Sequence, residues 1–562
     1  MKTATTLVIP LFLFAMVLGH AQTYPNTPIQ HVIVVIQENR TPDNLFGADA
    51  PLIARGAHLA SSGSCQGASV TLTASPLGAC FDPSHEHEAW VSSFDGGAMD
   101  GACTTPTGIK KGCTSPVMCT VNGKKQPCPQ YTFVRNALFD GVHRILDPYF
   151  QLASQYGFGN YMFQTNQGPS FPAHQFLFAG TSQPTVYNDP ADDGNLWWEW
   201  FAADNDTSGG GYGCAAVKKS LVMEISPTNV LEAGHKPANP SGAKAGFPCY
   251  NHFTLSDVLD ESGVSWRYYG NGAGSLWMAP NAINHICQTS GFGGTCTGPA
   301  WTTKGEVAQT PGQILTDLGA NPNNPTCNLQ SVSWVIPDGN WSDHPGNRKN
   351  GTTGHDGGPS WVASIVNALG GVDNSDNPLP AQCNYWNNTA VIVTWDDWGG
   401  FYDDVNPMQT IGGGVAGYPG GNGQGQYYVY GFRVPLLVIS PYNVNGNSGY
   451  ISGPPSNPAC PNYYCHDFGS ILNFIEYVFG PQNGRLPFIG PPQWPHADFY
   501  AQDTSGAPNN YSLYDFFNFS NNATPFTFVK GAKYGTSCFL NPTSCFGSGF
   551  PADPDNDMID DD

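Results

Sequence analysis

Charge is scarce in this 562-residue chain. Only 11% of its residues are charged, and 21 Lys or Arg stand against 43 Asp or Glu, a formal net charge of −22. So few cations leave no electrostatic footprint for nucleic acid, and the negative excess sets the molecule as a whole against anionic membrane surfaces. Long apolar runs are missing after the N-terminus, so no later segment reads as a transmembrane helix. The apolar stretch 7–19 is itself shorter than the ~20 residues a span needs. With Lys2 before it, and the small Gly19 and Ala21 before Gln22, residues 1–21 read as a secretory signal. Two motifs are absent as well. The 16 cysteines form no C-x-x-C pair, which argues against a zinc ribbon. The serine singled out below does not lie in a G-x-S-x-G elbow, which weakens a carboxyl-esterase reading.

The cysteine count is even, and in an exported chain disulfides are the natural reading. Cys460/Cys465 and Cys538/Cys545 are close enough in sequence to form local staples. With 67 Gly, 48 Pro and 13% aromatic residues, the chain is built for many ordered loops rather than for disorder. Residues 60–130 hold six cysteines and read as a loop-rich insertion. Residues 412–425, nearly all glycine and polar, read as a mobile surface loop, and the acidic run 553–562 as a solvated end.

Short apolar runs at 31–36, 333–336, 390–394 and 434–439 are rich in Val and Ile and lack polar alternation. That is the pattern of parallel strands covered on both faces. Helical periodicity follows: Trp361, Ile365 and Leu369 share one face, as do Ile471, Phe474 and Val478, and Val258-Leu259 precede a stop at Gly263. Strands alternating with helices predict an α/β fold with a central, mostly parallel sheet flanked by helices.

Two of these strands end in acids: His31-Val-Ile-Val-Val-Ile-Gln-Glu38-Asn39-Arg40, and Val391-Ile-Val-Thr-Trp-Asp396-Asp397. Ligands of parallel sheets bind beyond the carboxyl ends of the strands. Carboxylates converging there repel one another unless a cation neutralises them, and oxygen ligands suit a hard divalent ion. Gly168-Pro169-Ser170-Phe171-Pro172 is a rigid turn able to hold a serine outward. A serine hydroxyl needs a metal or a base to become a nucleophile. His85, His344 and His355 lie in polar, loop-like contexts and are of a type to stabilise or protonate phosphoryl oxygens. An alternative reading of His85 and His87 is a small metal site of their own.

The segment Gln37-Glu38-Asn39-Arg40-Thr41-Pro42-Asp43-Asn44-Leu45-Phe46-Gly47 resembles the opening motif of the bacterial phosphoesterases of phospholipase C and acid phosphatase type. Further blocks follow in the same order: Asp82-Pro83-Ser84-His85, Gly168-Pro169-Ser170, Asp343-His344-Pro345, and Asn388 through Tyr402 around Asp396-Asp397. The resemblance covers residues 28–520. It implies an alkaline-phosphatase-like α/β core with long disulfide-containing insertions, and one divalent metal ion held by Glu38, Asn39, Asp396 and Asp397. It implies Ser170 as nucleophile, with His344, His355 and His85 facing the phosphoryl oxygens or leaving group. Arg40 and Asp43 brace the first loop.

The implied organisation is a signal peptide at 1–21, a catalytic domain at 22–530 and a C-terminal extension at 531–562. The implied activity is hydrolysis of a small phosphate ester or phospholipid head group through a phosphoseryl intermediate, in the periplasm or outside the cell. The alternative is an inactive exported binding or surface protein on the same scaffold. Four departures from the usual pattern stand out: Asp397 where Glu is common, Phe401-Tyr-Asp-Asp404 in place of Asp-His, Phe171-Pro-Ala-His174 without the usual Asn-Arg, and an end soon after Tyr514-Asp515-Phe516-Phe517 without the extra domains of the long phospholipases C.

Overall fold

A computed structural model describes residues 24–109, 113–182, 201–206, 212–225, 243–272, 274–346, 356–407, 430–454, 464–482, 484–486 and 511–546. At its centre is an eight-stranded sheet. Its strands in chain order are β1 (His31–Gln37), β2 (Gly157–Gly159), β3 (Trp266–Tyr269), β4 (Val307–Ala308), β5 (Val332–Val335), β6 (Thr389–Trp395), β7 (Leu436–Ile439) and β8 (Tyr450–Ser452). The spatial order is β4-β3-β5-β1-β6-β7-β2-β8. β4, β3, β5, β1 and β6 are parallel to one another, and β2 is parallel to β8. β7 is antiparallel to both β6 and β2, so one strand of the eight runs against the rest.

That strand corrects one expectation. The run 434–439 is as buried as its neighbours, yet antiparallel. Burial on both faces makes a strand uniformly apolar; its direction is set by the connection that delivers it.

Helices cover both faces. Gly358–Leu369 and Phe468–Phe479 are buried along their whole length, so their apolar residues serve a core rather than one stripe. Leu255–Glu261 ends ahead of Gly263, whose φ of +66° suits glycine and few other residues. Among the described residues no helix is long and apolar enough to cross a membrane.

Seven disulfides join described cysteines: Cys65–Cys103, Cys80–Cys113, Cys119–Cys128, Cys214–Cys249, Cys287–Cys296, Cys327–Cys383 and Cys538–Cys545. The expected Cys538/Cys545 staple is present. Cys465 is also disulfide-bonded; Cys460, like the loop 412–425, lies outside the described residues. All six cysteines of the insertion 60–130 pair within it.

Candidate active site

The register of two strands builds the site. β1 pairs with β6 from His31 opposite Thr389 to Gln37 opposite Trp395, so both strands finish at the same level. The ladder then carries on one step: Asp396 N–H donates to Gln37 O (2.9 Å) and Arg40 N–H to Asp397 O (3.0 Å). Glu38-Asn39 and Asp396-Asp397 therefore emerge side by side at the carboxyl edge of the sheet, all fully buried. Asn39 takes a left-handed φ of +61°, a conformation asparagine tolerates better than most residues. Its backbone N–H donates to Asp396 Oδ1 at 3.0 Å.

Ser170 is the first residue of the helix Ser170–Ala179, with Pro169 as N-cap. Proline suits these positions because the first helical turn has no use for the missing N–H. The preceding Gly168 is pressed against the strand Phe201–Asp206: a Cβ there would lie 1.8 Å from Ala203 O. Asn205 of the same strand accepts the Phe171 N–H at 3.0 Å. Gln164 ties this turn to the loop after β6, accepting from Trp398 N–H (2.9 Å) while donating to Asn166 O (2.9 Å) and Gly168 O (3.1 Å). The outcome is that Ser170 Oγ stands 3.3 Å from Glu38 Oε2 and 3.4 Å from Asp397 Oδ2.

One residue was passed over in the sequence. His174 follows Ser170 by four positions on the same helix, and so lies on the same face one turn on. Its Nε2 is 3.2 Å from Glu38 Oε1 and 3.8 Å from Asp396 Oδ2, with no solvent exposure. Glu38, His174 and Asp396 each offer a ligand atom within 4.8 Å of the others.

The histidines of the loops divide. His85 is buried, and its Nδ1–H donates to Pro83 O (2.9 Å), which leaves Nε2 to accept from Asn39 Nδ2 at 3.1 Å. That network also assigns the Asn39 amide: nitrogen toward His85, oxygen elsewhere. His344 arrives from β5, the other neighbour of β1, and its ring centroid lies 5.9 Å from that of His85. His355 lies outside the described residues. His87 turns to a different partner, its Nδ1 3.1 Å from Gln167 O, and its ring stacks on Trp90. Arg40 faces away from the carboxylates. It donates to Asp343 O (2.9 Å), Leu77 O (2.8 Å) and Asn44 Oδ1 (3.0 Å), and so ties the first loop down.

The chemistry of the donors favours a cation. Glu38, Asp396 and Asp397 are buried together, and the Arg40 guanidinium is spent on other groups. Burial, then the neighbouring Asp396 charge, push Asp397 well above the usual carboxylate range. Asn39 Oδ1 and Asp396 Oδ2 are buried without a hydrogen-bond donor, which is costly unless something else accepts their lone pairs. Oxygen-rich donors with one imidazole fit a divalent ion. A second acidic group, Asp43, Asp403 and Asp404, already has its counter-ion. Arg433 bonds Asp403 Oδ1 (2.7 Å), Asp404 Oδ1 (3.0 Å) and Asp43 Oδ1 (3.2 Å).

Phospholipase C A of Mycobacterium tuberculosis is 28% identical over 262 residues, covering 43% of this chain and 45% of that protein. The non-hemolytic phospholipase C of Burkholderia pseudomallei is 26% identical over 271 residues, covering 43% and 34%. The chain thus spans less than half the length of these curated relatives. Among solved structures, a protein in the alkaline phosphatase superfamily from Vibrio parahaemolyticus aligns with 82% of this chain and 69% of its own, at 9% identity and a TM-score of 0.27. Residues 29–482 match the phosphoesterase family, a stretch holding both acid-tipped strands, the Ser170 turn, His85 and His344, and the chain belongs to that family.

Proposed function

We propose that this protein is an exported, metal-dependent phosphoesterase that hydrolyses a phosphate ester through a phosphoseryl intermediate on Ser170. The observation that carries the reading is the position of Ser170 Oγ, fixed on a rigid turn between the carboxylates of Glu38 and Asp397. Glu38, Asn39, Asp396, Asp397 and His174 would hold the divalent ion, which when bound supplies Lewis-acid activation of the serine hydroxyl and of a phosphoryl oxygen. The remaining steps belong to the chain. Ser170 Oγ passes its proton to a neighbouring carboxylate oxygen, Glu38 Oε2 at 3.3 Å or Asp397 Oδ2 at 3.4 Å, and bonds to phosphorus as the ester oxygen leaves. The start of the ten-residue helix Ser170–Ala179 offers a positive dipole end to the phosphoryl charge. His85 or His344, first protonated on Nε2, delivers that proton to the leaving oxygen, and water then attacks phosphorus, frees Ser170 and gives a proton back to the imidazole. The disulfides support export, and the name of the relatives supports a diester of phospholipase C type.

The test is hydrolysis of p-nitrophenyl phosphate beside p-nitrophenylphosphorylcholine by the purified protein, with EDTA and with re-added divalent metals. Faster metal-dependent release from the choline diester supports the phospholipase reading, and faster release from the monoester makes the protein a phosphatase. Ser170→Ala should abolish turnover on either while metal stays bound; normal turnover in that variant removes Ser170 from the mechanism.

A further inference from the structure

A surface away from the catalytic carboxylates departs from the acidic character of the chain. Three basic side chains, Arg135, Arg144 and Lys530, line a cleft of about 810 Å³ whose walls include Phe133 and Phe150. The Arg144 guanidinium donates to the Asn136 carbonyl (2.9 Å), and among the described residues none of the three forms an ion pair with a carboxylate. Asp49 and Asp147 line the same cleft, and both are engaged by backbone or amide donors. Asp147 accepts from the Arg144 backbone N–H (2.7 Å) and from Asn136 Nδ2 (3.1 Å), and Asp49 caps the helix Ala50–Ala54. Arg135 also lines an adjoining groove with Leu138 and Lys533.

The second observation is apolar. Among the described residues six large apolar side chains are strongly exposed, and two of them, Leu138 (50%) and Val142 (76%), sit on one hairpin at this cleft. Single exposed apolar residues mean little; two on one rigid tip beside unpaired cations are a different matter. The hairpin is closed by Phe139 N–H to His143 O (3.1 Å) and Ile145 N–H to Ala137 O (3.0 Å). Asp140 clamps its tip, accepting from Val142 N–H (2.9 Å) and His143 N–H (2.6 Å) and pairing with the His143 ring (2.7 Å). Val142 is thus held outward before any partner arrives, and little order remains to be imposed on binding.

We propose that the hairpin 137–145 and its cleft dock on an anionic lipid bilayer, with Leu138 and Val142 entering the interface and Arg135, Arg144 and Lys530 meeting lipid phosphates. Apolar tips framed by basic side chains are the chemistry of interfacial binding. The net charge of −22 does not oppose it at close range, because charges beyond a Debye length of about 8 Å are screened at physiological salt. The inference concerns binding alone and does not depend on the hydrolytic reading.

Sedimentation of the full chain with vesicles tests it, using phosphatidylcholine alone against equimolar phosphatidylcholine and phosphatidylglycerol. Anionic vesicles should bind more tightly, by roughly fivefold for each basic side chain engaged, and binding should weaken with added salt. Arg135→Glu with Lys530→Glu, and separately Val142→Asp, alter exposed positions; each should abolish the preference while the thermal midpoint stays unchanged. Equal binding to both vesicles, or a preference that survives both variants, overturns the proposal. So does full displacement by glycerol 3-phosphate at equal phosphate concentration, which would make the cleft a small-anion site.

Discussion

Gly168→Ala isolates the role of the Ser170 turn, because it adds one methyl group and removes no chemistry. The added Cβ would stand 1.8 Å from Ala203 O, whereas real Cβ contacts essentially never fall under 3.0 Å, so at least 1.2 Å of displacement (3.0 − 1.8) is forced on the turn or on the strand behind it. Either movement reaches Ser170. The turn carries Ser170 directly, and the strand carries Asn205, which holds the Phe171 N–H. Misplacing a reacting atom by about 1 Å costs on the order of 100-fold in rate, about 2.7 kcal/mol of barrier. Steady-state kinetics on the better reporter ester should therefore show kcat down by about that factor, with metal binding retained. Thermal unfolding run in parallel identifies a variant that simply fails to fold. Wild-type kcat together with an unchanged thermal midpoint would refute the argument, since the overlap would then be absorbed without touching Ser170.

Three further outcomes are expected. His174→Gln should weaken metal retention by roughly 10–100-fold in equilibrium dialysis, and unaltered affinity would take His174 out of the ligand set. EDTA should abolish turnover and lower the thermal midpoint, and re-added metal at about 100 times its Kd should restore about 2.7 kcal/mol of stability; a midpoint indifferent to metal would contradict a preformed site. Burial raises Asp515 from an ordinary 3.8 to about 7, and its His466 neighbour, 3.5 Å away, is pushed down to about 3 by its own burial. A carboxyl whose folded value exceeds its unfolded one binds more protons when folded, so its contribution to stability is full below the unfolded value and is lost as pH rises to about 7. The loss is on the order of 4 kcal/mol at about 1.4 kcal/mol per pH unit, and denaturant melts of Asp515→Asn should lack this part of the pH dependence.

The sheet was legible where burial speaks through composition. The strands His31–Gln37 and Thr389–Trp395 carry apolar residues without alternation, and the acids at their ends are conspicuous because so little charge surrounds them. Their shared register is a property of pairing that no single strand displays. His174 was noted only as a departure from a motif. Seeing it one turn from Ser170 requires knowing that the helix starts at Ser170, and two prolines in five residues read as a turn instead. Prolines on the first helical turn satisfy both descriptions, which is why the ambiguity was not resolvable from residues alone. The polar, loop-like sequence around His85 and His344 does not show that either side chain is buried. They become buried neighbours only because β5 and the insertion 60–130 converge on the same edge of the sheet. The pairing within that insertion was likewise hidden, since six cysteines allow many connectivities.

That insertion has a consequence for how the protein can change. Its three disulfides, two of them interlocked (Cys65–Cys103 and Cys80–Cys113) and one local (Cys119–Cys128), close on themselves and borrow no cysteine from the sheet. His85 is therefore presented by a covalently self-sufficient cassette, while the carboxylates and Ser170 are presented by the scaffold. The two can be altered separately: the cassette can be recut, grafted or reduced to reshape what surrounds His85, with the paired strands that gather the acids left as they are.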